Sequence, residues 1–449
     1  MSDLLILNMS KIKQNIKRSL KDEQLCSAVL NSCLRSSAKR DNTVDEIDDL
    51  PAARQTARTG RQRSLDELDI LHKQFETSFK SAGGNLHYAD TAEEACRIIV
   101  RILKRANAHQ GVKAKSMVSE EIGLGKELVQ AGIDAIESDL GEYIVQLAGE
   151  PPSHITAPAL HRSKESIGRL FAEKLHIPYT DDPVELTEIA RNVLRERYLN
   201  AEFGISGANF VIAESGHIMV VENEGNGRLG ASMPKVFIAI TGIEKVIPSL
   251  RDIPPILRLL ARSATGQRAT SYVNLLRPAN NKEDAPDEFH LVFVDNGRRR
   301  TLVDPLMREM LLCIRCGACL NICPVYRSVG GHAYDSVYPG PMGAVLSNLL
   351  GKEPMMQPEL PALSTLCGAC KDECPVEIDL PGLLLELRAR AKKPAFERIA
   401  AASWRWTMST PTRYDLAGRM AKLSGSIFGG VLPGKGFLNK ETSFRREIE

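Results

Sequence analysis

Between residues 84 and 278, short apolar runs typical of strands alternate with amphipathic patterns typical of helices. The run "GNLHYA" precedes "TAEEACRIIVRILKRAN", where Thr91 and Glu94 form a capping box that predicts a helix start. The run "VKAKSMVS" leads into "EEIGLGKELVQAG", where we predict Ser119 as the N-cap and Gly132 at the C-terminal end. This alternation predicts an α/β fold with a largely parallel sheet covered by helices.

Two hairpin signals add antiparallel pairs to this picture. The stretch "GANFVIAESGHIMVVENEGNGR" predicts two strands joined by a tight turn at Ser215 and Gly216, and "KVFIAIT" predicts a third strand. Farther along, "FHLVFVDNGRRRTLV" predicts a hairpin whose turn is Asn296-Gly297. The sheet region is therefore expected to mix parallel and antiparallel strands.

Polar segments flank the sheet region. Residues 1–75 are polar and helical in pattern, and the charged stretch 36–64 predicts a loose linker with a solvated face. After the sheet, Asp304 as N-cap and Pro305 at the first helical position predict a short helix that ends at Cys313. Near the end, nine Lys or Arg against three Asp or Glu between residues 384 and 424 predict a basic helical tail.

These patterns predict four regions along the chain. They are a helical arm and linker (1–75), an α/β domain (76–300), a helical cysteine-rich domain (301–392) and a helical C-terminal domain with a basic tail (393–449). The length of 449 residues is sufficient for two or three such domains.

Composition narrows the function classes. Lys and Arg total 58 against 56 for Asp and Glu, so the net charge is close to zero and does not favour a nucleic-acid partner. We expect no nucleic-acid partner. The apolar run in "MSDLLILNMSK" is short and lacks a basic leader, and no 18 apolar residues run together. We therefore expect a cytoplasmic chain. Seven of the ten cysteines lie between residues 313 and 374, which favours metal ligation in a reducing compartment over disulfides.

The first cysteine block has the pattern C-x2-C-x2-C-x3-C-P, formed by Cys313, Cys316, Cys319, Cys323 and Pro324. In ferredoxins with two clusters, the first three such cysteines bind one iron-sulfur cluster and the fourth binds the other. A structural zinc site needs four ligands around one tetrahedral centre, commonly two separated pairs, and does not require a third cysteine at this spacing. The block therefore predicts iron-sulfur clusters.

The second block lacks one cysteine, because Ser364 stands where the first would be. The crossed rule gives one cluster four thiolates, from Cys313, Cys316, Cys319 and Cys374. It gives the other cluster three, from Cys323, Cys367 and Cys370. Three explanations stay open: a 3Fe-4S cluster, a 4Fe-4S cluster with a serine oxygen, water or substrate on its fourth iron, or an unassembled second site. The missing thiolate either retunes the reduction potential or leaves an iron open as a Lewis acid.

A glycine motif in the sheet region resembles a dinucleotide-binding loop. Its glycines follow the spacing G-x-G-x-x-G at Gly225, Gly227 and Gly230. Such a loop should open a helix, whereas Pro234 and a strand pattern follow this one closely. We therefore expect no helix and no nucleotide site here.

Two other groups have both a functional and a structural interpretation. Glu224, Asn226 and Arg228 either hold a small carboxylate at the mouth of the sheet or form a hairpin turn that faces water. His154 and His161 either act as general bases or are hydrogen-bonded structural residues.

From about Ala57 to Lys435 the chain resembles the LutB/LldF family of iron-sulfur proteins of bacterial lactate utilisation. The resemblance rests on "ANFVIAESGHIMVVENEGNGR", "PKVFIAITGIEKVIPSL", "VDNGRRRTLVDPLMREMLLCIRCGACLN", "GGHAYDSVYPGP" and "STLCGACKDECPVEIDLPGLL". It implies an amino-terminal LUD domain, similar to the Rossmann-like fold of sugar-phosphate isomerases and CoA transferases. A dicluster ferredoxin domain and a short helical C-terminal domain would follow. In this family a serine before the second block is usual, so Ser364 fits the resemblance.

The resemblance also implies a function. The family works in a three-protein complex that oxidises L-lactate to pyruvate, with a cysteine-rich partner resembling LutA and a second LUD protein resembling LutC. The family's cluster ligands fall on the seven cysteines from Cys313 to Cys374. We expect an oxidoreductase subunit that passes electrons from lactate oxidation toward a membrane acceptor such as a quinone. No flavin, nicotinamide or catalytic residue is assigned.

Two alternatives to this function stay open, and so does the role of the tail. The chain either serves another 2-hydroxy acid such as glycolate or is a non-catalytic redox-sensing module. Trp404, Arg405 and Trp406 in the basic tail either contact anionic lipid or a partner, or belong to an ordinary helix with core tryptophans.

Overall fold

The computed structural model describes residues 10–278, 285–355, 357–391 and 395–427. It divides into two units, residues 1–389 and 390–449. The start of the predicted arm and the end of the predicted basic tail lie outside the described residues.

Within the described part of the first unit, ten strands form two sheets. In chain order the strands are β1 Asn85–Ala89, β2 Gln110–Lys113, β3 Asp134–Glu137, β4 Phe203–Gly207, β5 Phe210–Ile212, β6 His217–Glu222, β7 Val236–Gly242, β8 Val246–Ile247, β9 Tyr272–Leu276 and β10 Glu288–Val294. Six of them form a fully parallel sheet in the order β1-β10-β7-β4-β2-β3. The other four form a sheet in the order β8-β5-β6-β9 that contains the antiparallel pairs. The predicted mixture is thus present, but in separate sheets.

Helices cover both faces of the parallel sheet. The helices of this region are α5 Ala92–Arg105, α6 Met117–Glu121, α7 Leu124–Gln130, α8 Leu140–Ala148, α9 Lys164–Leu175, α10 Pro183–Leu199, α11 Asn226–Ser232 and α12 Ile253–Thr265, with short 3-10 helices at Ile243–Lys245 and Leu250–Asp252. Helix α12 has its main contacts with the amino-terminal helices. Strand β7 shows that both faces of the sheet are buried. Ile238 and Ile240 pack against α5 and α7 on one face, while Phe237 belongs to a separate apolar cluster on the opposite face. The fold is the expected Rossmann-like α/β arrangement.

The parallel sheet reverses its strand order between β2 and β4. From β2 the chain moves outward to β3, and from β4 it moves the other way through β7 to β10. In open α/β sheets, ligands bind outside the carboxyl ends of the strands at this switch point. The ends of β2 and β4 are therefore the place where the fold favours a ligand site.

The amino-terminal arm consists of helices α1 Lys11–Ser19, α2 Glu23–Val44, α3 Leu50–Asp66 and α4 Leu68–Ser81. The prediction of a loose linker at residues 36–64 is wrong, because this stretch belongs to α2 and α3 and the five residues between them. Its face is also not fully solvated, since Arg40 and Arg61 are buried. The charges of this stretch bind distant backbone and carboxylate groups, which a local sequence pattern does not show.

Two predicted hairpin turns and one predicted helix cap are wrong. Strand β10 lies between β1 and β7, so no edge is left for a hairpin partner; Asn296 and Gly297 instead start helix α13, Arg298–Val303. Gly225, with φ of 78°, caps α11, so the "ENEGNGR" stretch opens a seven-residue helix instead of forming a hairpin turn. Helix α6 is capped by Ser116, three residues before the predicted Ser119.

The cysteine region contains short helices around two loops. They are α14 Ala318–Ile322, α15 Pro324–Val329, α16 Gly340–Leu349, α17 Ala369–Asp372 and α18 Leu380–Arg390, with 3-10 helices at Met307–Leu312, His332–Tyr334 and Leu360–Ala362. Asp304 accepts hydrogen bonds from the amides of Leu306 and Met307, so it caps the predicted turn, although the helix that reaches Cys313 is 3-10. One apolar core joins this region to the arm and to the smaller sheet.

The second unit contains helices α19 Ala395–Met408 and α20 Pro411–Ile427. Trp404 and Trp406 are more than half exposed, so the interpretation of two core tryptophans is wrong. The Arg413 guanidinium lies 4.7 Å from the Trp406 ring centroid. Among the described residues, no helix is long and apolar enough to cross a membrane.

Candidate metal centre

The two cysteine blocks fold into loops with the same backbone pattern. Arg315 and Leu366, two residues after the first position of each block, have φ of 61° and 57°. Gly317 and Gly368 follow with φ of 82° and 90° and start the short helices α14 and α17. Positive φ is uncommon for residues with a side chain, so its recurrence at the same place marks a true structural repeat. We name residues 313–323 the first loop and 364–374 the second loop.

Ser364 occupies the position in the second loop that Cys313 occupies in the first. The Arg315 amide donates to Cys313 Sγ at 3.4 Å, and the Leu366 amide donates to Ser364 Oγ at 3.1 Å. The serine therefore makes the hydrogen bond that a cysteine makes at this place. At this position the two loops differ by one side-chain atom, an oxygen in Ser364 in place of the sulfur in Cys313.

The thiols fall into two groups by their electrostatic interactions. Cys313, Cys316, Cys319 and Cys374 form one group, which we name the first site: burial raises the pKa of Cys316, Cys319 and Cys374, and the negative charge of Cys313 raises it further. Cys323, Cys367 and Cys370 form the other group, which we name the second site: burial raises the pKa of Cys323 and Cys370, and the negative charge of Cys367 raises it further. Cys370 also interacts with Cys319 and Cys374, so the two sites are neighbours. The grouping matches the crossed assignment expected from the spacing.

The four thiols of the first site line one small apolar cavity, with Met310, Met342, Ile378 and Leu380 among its other walls. Burial raises the pKa of Cys316 and Cys319 above the usual thiol range and that of Cys374 to about 11. Such thiols ionise only beside a compensating cation, as thiolate ligands of iron do. The donor set and its cavity therefore suit an iron-sulfur cluster.

The four thiols of the first site surround one space. Within the described ranges, no group of three or more His, Cys, Asp or Glu side chains is placed to hold a single metal ion.

Buried cations lie against the first loop. Lys245 Nζ donates to the carbonyl oxygen of Cys313 at 2.6 Å. Arg61, from helix α3 of the arm, donates to the carbonyl oxygens of Glu244 and Leu311 at 2.6 and 3.1 Å. Burial lowers the pKa of Arg61 to about 10 and that of Lys245 to about 7. The backbone that delivers Cys313 is thus held by charged side chains from distant parts of the chain.

Together these cations outnumber the carboxylates beside them. Glu121 and Glu244 each contact Arg298 at 2.7 Å, and Glu244 also lies 3.6 Å from Arg315. The cations, which we name the cation cluster, are Arg61, Lys245, Arg298 and Arg315. Three arginines, together with Lys245 and its pKa of about 7, against two carboxylates leave excess positive charge, which favours an anionic thiolate-bound cluster at the first site.

The arm also fixes the chain around Cys374. The Arg40 guanidinium pairs with the Glu373 carboxylate and donates to its carbonyl oxygen at 3.1 Å. Arg58 donates to the Val376 carbonyl oxygen at 2.9 Å. The charged arm therefore supports the first site from outside, a role that the sequence pattern did not reveal.

The second site is more open than the first. Cys367 is exposed, and the Ala369 amide lowers the pKa of its thiol. Cys323 and Cys370 are buried, and burial raises the pKa of Cys370 to about 12. Tyr334 lies beside Cys323, and burial raises the pKa of its hydroxyl above the usual range. The second site thus combines two buried thiols with one that solvent reaches.

Neither histidine singled out from the sequence is placed as a general base. His154 is buried, its Nδ1 accepts from the amides of Thr156 and Ala157 at 3.1 and 3.2 Å, and burial lowers its pKa to about 3. His161 hydrogen bonds through its two ring nitrogens to Ser153 and Glu150 at 2.9 and 3.0 Å. Both support the loop that packs behind the first loop.

A cavity of about 300 Å³, which we name the edge cavity, opens at the switch point of the parallel sheet. Glu224 and Asn226 line it as expected for a ligand site, whereas Arg228 does not and instead lies 4.7 Å from the Tyr272 ring centroid. Lys115 lines it and was missed from the sequence. Its position two residues after the end of β2 was the available signal.

Two protein families match the chain. Residues 72–294 match the LUD domain, and residues 309–378 match the 4Fe-4S dicluster domain. Lactate utilization protein B of Bacillus cytotoxicus is 41% identical over 448 residues, covering 98% of this chain and 94% of the relative. The protein of the same name from Bacillus cereus is 40% identical with the same coverage. A crystal structure of a duf162 family protein from Deinococcus radiodurans aligns with 51% of this chain and 98% of its own, at 13% identity and a TM-score of 0.30.

Proposed function

The chain belongs to the lactate utilization protein B family, and on that premise we propose that it is the iron-sulfur electron-transfer subunit of a complex that oxidises L-lactate to pyruvate. The observation that carries this proposal is the pair of neighbouring thiol sites, one with four thiols and one with three. Two redox centres side by side suit a relay, because a 2-hydroxy acid loses two electrons on oxidation and a cluster takes one at a time.

The seven cysteines are the proposed ligands. Cys313, Cys316, Cys319 and Cys374 would hold a 4Fe-4S cluster at the first site. Cys323, Cys367 and Cys370 would hold a second cluster, either 3Fe-4S or 4Fe-4S with Ser364 as the fourth ligand. When bound, the two clusters supply one-electron transfer at potentials set by their ligands and surroundings. The chain itself buries the first site, holds its loops and places positive charge beside it.

The partners follow from the family. We propose that a LutA-like cysteine-rich protein and a LutC-like LUD protein complete the complex, which works in the cytoplasm. Electrons then leave toward the respiratory chain, with a quinone as the acceptor class. The exposed Trp404 and Trp406 in the basic C-terminal region support contact with a partner or with the inner face of the membrane. The proposed domain limits remain 76–300 for the LUD domain and 301–392 for the dicluster domain.

The proposal is tested by mixing the anaerobic full chain with the LutA-like and LutC-like proteins and adding L-lactate or glycolate. We expect L-lactate to bleach the visible absorbance of the iron-sulfur clusters and to form pyruvate, with glycolate much less effective. Preferential bleaching by glycolate would move the proposal to another 2-hydroxy acid. Failure of both acids to bleach the clusters in the full complex would favour a redox-sensing module.

A further inference from the structure

The edge cavity lies between the parallel sheet and the first loop. Its walls include the residues after β2, the end of β4, and Ile314 and Arg315 of the first loop. The Arg315 amide donates to Cys313 Sγ, so the backbone on the cavity wall is also bonded to a thiol of the first site. A ligand in this cavity would be a direct neighbour of the first site.

Lys115 provides an unused cation in this cavity. Its ammonium nitrogen is shut off from solvent and has no hydrogen-bond partner within the described part of the chain. A buried polar group without a partner is costly, and a buried cation more so. Burial accordingly lowers the pKa of Lys115, although the carboxylates of Asp139, Glu142, Glu224 and Glu137 oppose the shift. An anionic ligand group beside Lys115 would remove this cost.

Other charged groups on the wall already have partners. Glu222 accepts from the amides of Gly227 and Arg228 at 2.6 and 3.0 Å. Glu244 is paired with Arg298 at 2.7 Å. The two other cations on the wall also have partners: Lys245 donates to the Cys313 carbonyl oxygen at 2.6 Å, and Arg315 lies 3.6 Å from Glu244. Lys115 is thus the charged group of this cavity best placed to meet an anion.

Two carboxylates lie on the same side of the cavity as Lys115. Glu224 accepts from the Leu140 amide at 3.2 Å, and Asp139 accepts from the Glu142 amide at 3.1 Å. Each of these carboxylates has a further oxygen lone pair for a donor on the ligand. The cavity therefore presents a cation for an anionic group and, beside it, acceptors for a hydroxyl group.

We propose that the edge cavity binds a small 2-hydroxycarboxylate, with its carboxylate on Lys115 and its hydroxyl group donating to Glu224. This deepens the proposed function and rests on it for the identity of the acid, L-lactate. A volume of about 300 Å³ is at the lower end of ligand cavities and suits a three-carbon acid with accompanying water. The site assigns the LUD domain a binding role and places the acid next to the first site.

Binding is measured by isothermal titration calorimetry on the anaerobic, cluster-containing full chain, with L-lactate, propionate and L-lactamide as probes. We expect L-lactate to bind most tightly, because propionate lacks the hydroxyl group and L-lactamide lacks the negative charge that Lys115 would bind. Lys115→Met should weaken L-lactate binding about 10- to 100-fold, the loss of one charged hydrogen bond. Lys115→Arg should keep part of the binding, and Glu224→Gln should weaken L-lactate more than propionate.

The control is Lys126→Met, which removes an exposed lysine of nearby helix α7 and should leave binding unchanged. Iron content and circular dichroism show whether each variant is folded. Equal binding of L-lactate to Lys115→Met and the parent chain would overturn the proposal. Equal or tighter binding of L-lactamide would overturn the ligand class, and equal binding of propionate would overturn the contact with Glu224.

The two proposals fail in different ways. If the complex oxidises L-lactate while the parent chain binds none, this inference is wrong and the proposed function stands. If L-lactate binds through Lys115 but the complex never oxidises it, the site stands and the proposed function is wrong. Binding should also alter the electron paramagnetic resonance (EPR) signal of the first site in the parent chain, and not in Lys115→Met.

Discussion

The two cysteine loops have the same backbone conformation but different surroundings. A Cβ atom added at Gly317 of the first loop would meet Ile155, His154 and Thr156 within 3.5 Å, whereas one at Gly368 would meet nothing within 4 Å. The first site is buried and lies beside the cation cluster, while the second ends in the exposed Cys367. A repeated motif has thus become two unequal sites through packing. The surroundings, and one serine, distinguish the two sites.

The largest expected effect is the loss of the first site. Cys319→Ser removes a thiol that is buried within the apolar core around the first site. Because a metal centre in such a core contributes to folding, we expect the free energy of unfolding to fall by roughly 3–5 kcal/mol. Lactate-dependent bleaching should also disappear. Thermal unfolding and iron analysis of the purified variant measure both effects.

The matched control for that variant is Cys96→Ser. Cys96 is also buried, but its Sγ donates to the Ile122 carbonyl oxygen at 3.3 Å, a hydrogen bond that a serine can make. It belongs to neither site, so its iron content should equal that of the parent chain. Equal losses in Cys96→Ser and Cys319→Ser would contradict the assignment of Cys319.

Cys367→Ser should have a smaller effect, confined to the second site. Cys367 is exposed and carries little of the core, so we expect stability to change by less than about 1 kcal/mol. Iron content should fall while the EPR signal of the first site persists. Loss of both EPR signals together would show that the two sites do not form independently and would contradict the distinction between them.

The cation cluster should set the potential of the first site alone. Arg61 is fully buried and interacts with Cys313, so Arg61→Met removes a positive charge that stabilises the reduced, more negative state. We expect the midpoint potential of the first site to fall by about 50 mV, with the second site unchanged. EPR-monitored redox titration measures both potentials.

Arg63→Met is the control on the same helix. The Arg63 side chain is about half exposed and pairs with Asp252 at 2.5 Å, away from the thiols. Its loss should leave both potentials within error of the parent values, since exposed charges are screened by water. A shift in Arg63→Met as large as that in Arg61→Met would point to helix α3 as a whole and not to the buried charge.

The sequence predicted the parts of this molecule that depend on local spacing. The alternation of strands and helices predicted the parallel sheet, since periodicity reports which face of an element is buried. Spacing within the two cysteine blocks also predicted that Ser364 corresponds to Cys313, and the hydrogen bonds of the two loops agree with that correspondence. The assignment of the seven cysteines as cluster ligands stays a prediction.

Long-range packing explains what the sequence did not show. The charged stretch 36–64 looked solvated, but Arg61 donates to the backbone at Glu244 and Leu311. Asn296-Gly297 has the sequence of a hairpin turn. Because β10 already has a neighbouring strand on each side, β1 and β7, the chain after it cannot return as a hairpin partner. Lys115 belongs to no sequence motif, because its place in a cavity depends on the strand order of the folded sheet.

The most direct measurement of the unequal sites is EPR spectroscopy with iron analysis on the parent chain and on Ser364→Cys. Ser364 already occupies the place of Cys313, so a cysteine there should supply the fourth thiolate without moving the loop. We predict that Ser364→Cys changes the signal and potential of the second site only, giving two four-thiolate clusters. An unchanged spectrum in Ser364→Cys, or equal changes at both sites, would contradict the account.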